Sequence, residues 1–166
     1  MLRILYTSRH LSHKVPFGTV TPGQLCTLRV HIPQHCHTQK SLCRLLQEDG
    51  TLLREIPMHC ESVVPPYEIW TCQFSLEPGL YFYFFRITTP NETFSLLRQG
   101  EDTNMEAGDW WQLSCVPEDA CTPAWAQGAT IYQVFPDRFA RSGSCDLAGK
   151  LEPYTLHQSW SAEVHW

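Results

Sequence analysis

The sequence predicts a mainly β protein, and three observations predict it. Apolar and polar residues alternate with a period of two in several short runs. Turn residues such as Asp49-Gly50 and Glu77-Pro78-Gly79 separate those runs. No segment keeps a sustained helical period. The β pattern occupies roughly residues 16 to 116. Cys26, Leu28, Val30 and Ile32 alternate with Thr27, Arg29 and His31, as in a half-buried strand. Leu42 to Leu46 forms a second apolar run, and Thr51 to Ile56 follows the Asp49-Gly50 turn. Trp70, Cys72, Phe74 and Leu76 share one face of the next strand. Leu80 to Ile87 is aromatic on both faces and reads as a central strand. Thr93 to Leu97 and Trp110 to Cys115 supply the last two. Six or seven short strands with regular turns point to an immunoglobulin-like β-sandwich.

Composition sets the bounds. The chain has 166 residues, 43% hydrophobic and 17% charged, enough apolar content to bury a core. Its net charge of −5 comes with no basic stripe, which argues against nucleic acid or an anionic membrane as a partner. No apolar run approaches the roughly 20 residues of a membrane span. The amino terminus lacks the apolar core of a secretory signal, so a cytoplasmic location is expected. Eight cysteines are then read as free thiols, several of them small hydrophobes at strand positions.

Val116 to Pro123 carries two prolines and no periodicity, the mark of a linker. This places a first domain at residues 1–122 and a second segment at 123–166. In the second segment, Ala129 to Ala140 reads ATIYQVFPDRFA, an apolar strand running into a charged turn.

That stretch, above all Ile131 through Arg141, closely resembles the first barrel strand of the α-amylase superfamily, glycoside hydrolase family 13. Its signature residues here are Tyr132, Gln133, Phe135, Pro136, Asp137, Arg138 and Phe139. Weaker likeness to the amino-terminal sandwich of the neopullulanase, cyclomaltodextrinase and maltodextrin-glucosidase branch lies in Pro16-Phe17-Gly18, Pro78 to Phe84 and Trp111 to Ser114. The resemblance implies a sandwich followed by the start of a (β/α)8 barrel, which needs on the order of 200 residues to close. It also implies retaining cleavage of α-glucosidic bonds in maltodextrin, cyclodextrin or pullulan by two aspartates and a glutamate. Those residues are expected beyond this chain, so no catalytic residue is assigned and the chain itself is expected to be inactive. Asp137 and Arg138 are read as shaping the loop after the strand. The resemblance further implies an α-glucan substrate for the parent enzyme and a homodimer formed through the sandwich. Some family members bind calcium after this strand. Arg141 to Asp146 offers one acidic side chain against the six to eight oxygens such a site needs, so no cofactor is expected.

Two groups of residues remain. Sugar rings stack on exposed aromatics, which makes Trp110, Trp111 and Tyr67 the candidate substrate contacts. Adjacent strand residues face opposite ways, so one of Trp110 and Trp111 is expected outside. His31, His35, Cys36, His37, His59 and Cys60 lack the spacing of a zinc site and are read as polar loop and strand positions, with no metal assigned. The alternative to an enzyme fragment is a non-catalytic carbohydrate-binding or interaction module built on the same sandwich.

Overall fold

The computed structural model describes residues 2–134 and Ser161. The chain divides into two units, residues 1–121 and 122–166. Among the described residues the first unit holds nine strands and no α-helix. They are β1 (Lys14–Val15), β2 (Cys26–Pro33), β3 (Lys40–Leu46), β4 (Leu52–Val64), β5 (Tyr67–Phe74), β6 (Gly79–Thr88), β7 (Thr93–Gln99), β8 (Asp102–Asn104) and β9 (Trp111–Cys115). The order is β1-β2-β5-β4-β3-β6-β7-β8, with β9 also on β6, and every named pair is antiparallel.

The sheet is curled, and β4 makes the bend. Its first half, Leu52 to Met58, pairs with β3, and its second half, His59 to Val64, pairs with β5. A bulge at Cys60–Ser62 lies on the second half, and bulges bend a strand and increase its twist. Pro57 sits where β4 is paired on one side alone, so the N–H it lacks is tolerated. Period-two alternation then sends one face of each arm inward. Cys26, Leu28, Val30 and Ile32 of β2, Cys43 and Leu45 of β3, and Tyr83, Phe85 and Ile87 of β6 share one buried cluster.

The segment before β1 ties the arms together. Leu5 exchanges backbone hydrogen bonds with His31 of β2, at 2.9 and 3.0 Å. Thr103 Oγ1 of β8 donates to Ile4 O at 2.7 Å. Tyr6 is buried edge-on against Tyr83, Phe85 and Trp111, and its hydroxyl lies 2.7 Å from that of Tyr83. Burial raises the pKa of both phenols well above the ordinary value, so the pair is neutral and shares one donated hydrogen bond.

Several expectations change. The β body begins with Ile4 and Tyr6 in the core, ahead of the expected start near residue 16. β4 runs to Val64 and does not stop at Ile56, and β1 and β8 are additional. The strand expected at Ile131 to Phe135 is absent over its described residues. Ile131, Tyr132, Gln133 and Val134 are exposed and pair with no strand there, and without a neighbouring ladder an extended apolar segment has nothing to hold it as a strand. Phe135, Pro136, Asp137, Arg138 and Phe139 lie outside the described residues. The described residues of the second unit include a 3-10 turn at Ala124–Ala126, with Gln127 Nε2 donating to Thr122 O at 2.8 Å.

The tyrosine pair gives a stability test. Tyr83→Phe leaves the Tyr6 hydroxyl buried without a partner and is expected to cost about 1–3 kcal/mol in urea unfolding. The double variant Tyr6→Phe, Tyr83→Phe is expected to recover part of that loss, since both orphaned groups are then gone.

Candidate functional site

β6 alternates strictly, and its two faces do different things. Tyr83 and Phe85 are fully buried in the core, while Phe82 and Phe84 alternate onto the other face, where Phe84 is itself buried and Phe82 half-buried. The same rule splits the tryptophan pair at β9. Trp111 is opposite Tyr83 in register and is buried, stacked on the Tyr83 ring at 5.9 Å. Trp110 goes the other way and stays 41% exposed. Of the three expected sugar contacts, Trp111 is thus only 2% exposed, with its ring packed in the core.

Trp110 is held in place. Its ring is nearly parallel to Phe84 (6.4 Å, 17°) and tilted against Phe82 (6.2 Å, 57°), and the Arg44 guanidinium covers Phe84 in turn. Gly50 lies against the indole in the turn before β4. The residue has φ of +84°, which favours glycine, and a Cβ there would stand 3.2 Å from the ring, so the indole would have to shift slightly to admit one. The turn is closed by Gly50 N–H to Gln47 O and by Thr51 N–H to Asp49 Oδ1. The second bond holds the Asp49 carboxyl below the usual carboxylate range. Behind Trp110, Arg98 and Asp109 exchange both backbone hydrogen bonds at 2.8 Å. Gly108 makes that approach feasible, because a Cβ on it would come within 2.5 Å of Arg98 O.

Trp110 lines a cleft of about 580 Å³. Its polar rim carries two ion pairs, Arg9–Glu101 at 2.6 Å and Arg98–Asp109 at 3.1 Å, with Phe82 and Gln112 also lining it. Tyr67 is elsewhere: it starts β5, pairs with Pro33 and Val64, is half-buried, and does not line the cleft. Trp70 is half-buried, and its Nε1 donates to Glu68 Oε2 at 3.0 Å. The rim residues were not foreseen. Arg9 and Glu101 are 92 positions apart, and no spacing pattern joins them.

A histidine stack forms a second cluster. His13 lies parallel to His31 at 4.5 Å (25°), with His10 at 6.1 Å from His13 and Tyr67 at 6.4 Å from His31. The Thr7 N–H donates to His13 Nδ1. Burial, then the neighbouring His31 and His10, lower His13 from 6.5 to about 4. His31 is lowered as well, by burial and by Arg29. His35, Cys36 and His37 lie in and just after a 3-10 turn at Gln34–Cys36. Among the described residues, no group of three or more His, Cys, Asp or Glu is arranged to hold a metal.

No family model matches the chain. It is 26% identical to an amylopullulanase of Thermoanaerobacter thermohydrosulfuricus over 92% of this chain and 12% of the relative. It is also 26% identical to an amylopullulanase of Thermoanaerobacterium thermosulfurigenes over 88% of this chain and 8% of the relative. The chain thus spans about a tenth of the length of the curated relatives it matches. Among solved structures, a cyclomaltodextrinase aligns at 19% identity with a TM-score of 0.49, over 85% of this chain and 24% of that one. A type III pullulan hydrolase from Thermococcus kodakarensis aligns at 11% with a TM-score of 0.47, over 66% and 16%. The likeness to the α-amylase superfamily read from the sequence is borne out by the amylopullulanases.

The histidine stack predicts a pH response. Below its ordinary pKa of 6.5 the unfolded chain takes up a proton that folded His13 refuses until about pH 4. The associated stability is therefore complete above about pH 6.5 and is lost as pH falls toward 4. Urea midpoints measured across that window are expected to drop by the equivalent of about 1–3 kcal/mol, and His13→Gln is expected to flatten the slope.

Proposed function

We propose that this chain is a non-catalytic β portion of an α-glucan-cleaving enzyme that works by the retaining, two-carboxylate route. The observation that carries the reading is likeness over nine tenths of the chain to amylopullulanases, of which it spans about a tenth. In this reading the body is an immunoglobulin-like sandwich, supported by two arms of sheet that enclose one core. The segment from residue 123 onward begins a (β/α)8 barrel, and exposed Ile131 and Tyr132 are the apolar positions that further barrel strands would cover.

The electrostatics of the first unit support a non-catalytic role. Glycoside cleavage asks for a carboxyl with a raised pKa beside a carboxylate partner. The two carboxyls displaced from their ordinary values, Asp49 and Glu61, both go down, through the Thr51 N–H and through Arg29 respectively. Glu101 and Asp109 at the cleft are each tied to an arginine. The lowered Asp49 and Glu61 suit bracing better than proton donation. The nucleophile, the acid–base glutamate and the second aspartate are then supplied by barrel residues outside this sequence. Residence in the cytoplasm and contact with a second subunit through the sandwich belong to the same reading.

Pure 166-residue protein is expected to release no reducing sugar from maltotriose or pullulan, and turnover above the buffer rate would overturn the non-catalytic assignment. Reading the coding DNA past the codon for Trp166 tests the parentage. An open frame into a barrel bearing Asp, Glu and Asp at strand ends is the expected result. A frame continuing into any other fold overturns it.

A further inference from the structure

We propose that Cys43 and Cys72 form a latent cross-link site, at which a small-molecule disulfide oxidant closes an S–S bond between the two arms of the sheet. The site is independent of the glucan reading. It lies in the core, beside the bend of β4.

Placement comes first. Cys43 of β3 is opposite Ile56 of β4. Cys72 of β5 directly follows Thr71, which is opposite His59 of β4. The two cysteines therefore flank the point at which β4 changes partners, one on each arm. Both are buried in the shared core, and their thiols meet in a hydrogen bond. β3 and β5 are not ladder neighbours, so the contact runs across the interior and not along a rung of one sheet.

The other interior thiols are placed differently. Cys26 is opposite Phe74, while Cys72 is opposite Leu28, which makes Cys26 and Cys72 diagonal neighbours on the β2–β5 ladder. Diagonal neighbours stand about 7–8 Å apart, or somewhat less between Cβ atoms. A disulfide spans only about 3.5–4.5 Å between Cβ atoms. Cys115 is on β9, and its Sγ donates to Leu76 O at 3.6 Å. Of the buried thiols, Cys43 and Cys72 are thus the pair that joins one arm to the other.

The chemistry is thiol–disulfide exchange with glutathione disulfide as the oxidant. One cysteine thiolate attacks a sulfur of the oxidant and expels a glutathione thiolate. The second cysteine thiolate then attacks the protein sulfur of the mixed disulfide, which forms the Cys43–Cys72 bond and expels the other glutathione. The protein gives up two protons and two electrons, and the oxidant becomes two thiols. Burial keeps the Cys43 thiol protonated in the folded state, and a thiol is not the attacking species. Exchange therefore belongs to the folding chain, before the arms close. Once made, the bond ties the arms together without β4 and holds the whole of β4 inside a covalent loop. Restricting the unfolded chain in this way stabilises the folded one.

The test is refolding of the reduced 166-residue protein from urea into a buffer of reduced and oxidised glutathione, followed by acid trapping, alkylation and peptide mass mapping. Cys43–Cys72 is expected as the main cross-link, with Cys26 and Cys115 recovered as alkylated thiols. The urea midpoint of the oxidised protein is expected to lie about 1–2 M above that of the same protein with reductant added. Cys72→Ala is expected to abolish this difference. Comparison of wild type with itself, oxidised and reduced, keeps the test decisive even where that variant does not fold. Replacing the two exposed thiols, Cys60→Ser with Cys121→Ser, is expected to leave both the link and the gain in place. Refolded protein whose Cys43 and Cys72 both remain alkylatable overturns the site, as does pairing of either one with Cys26, Cys60 or Cys121. A Cys43–Cys72 bond that lowers the midpoint also overturns it, because the two sulfurs would then not be placed to join across the native core.

Discussion

The architecture depends on β4 changing partners. One strand of 13 residues pairs with β3 through its first half and with β5 through its second. Neither half-ladder could be exchanged for the other without a register slip, which would turn Ile56 and Met58 from the core to the surface. Because the strand is continuous, the arm containing β2 and β5 and the arm containing β3 and β6 are held at a fixed relation. The residues before β1 then bridge from β2 to β8 and insert Tyr6 between them and the core. The curl is thus fixed at its bend by covalent chain and at its opening by hydrogen bonds and one aromatic ring.

The candidate cleft follows from the same arrangement. With Tyr83 and Phe85 committed to the interior, Phe82 and Phe84 must occupy the outer face, and they provide an apolar floor for Trp110. The loop from β8 to β9 has to return past β7, and Gly108 lets it do so at backbone contact with Arg98. Polar closure comes from far along the chain: Arg9 in the segment before β1 and Glu101 just ahead of β8. The outer face of β6 is therefore furnished by three separate stretches of sequence.

This division also explains what could be read beforehand. Strands β2 and β5 were legible from alternation, and β3, β6, β7 and β9 from short apolar or aromatic runs set between turn residues. β1 and β8, at two and three residues, are too short to show a period and exist only through their neighbours. The second half of β4 was hidden by Pro57, which normally argues against a strand and is tolerated here by one-sided pairing. At Trp110-Trp111 the sequence allowed one ring out but not which one. That choice is made by the register of β9 on β6, a tertiary fact. The arginine–carboxylate rim was beyond reach for the same reason. Conversely, Ile131 to Val134 has every local mark of a strand and forms none over its described residues, since a strand needs a partner as well as a pattern.

The interior thiols give the fold a chemical clock. Cys26, Cys43, Cys72 and Cys115 are buried on four different strands, while Cys60 and Cys121 are exposed. Burial pushes Cys26 up to about 11, and it raises Cys43 and Cys115 too, which suppresses the thiolate that alkylating reagents attack. Modification at these positions requires β2, β3, β5 or β9 to part from its neighbours. The order in which the four sulfurs take up a label therefore records which ladder opens first, with Cys121 as the internal standard for an accessible thiol.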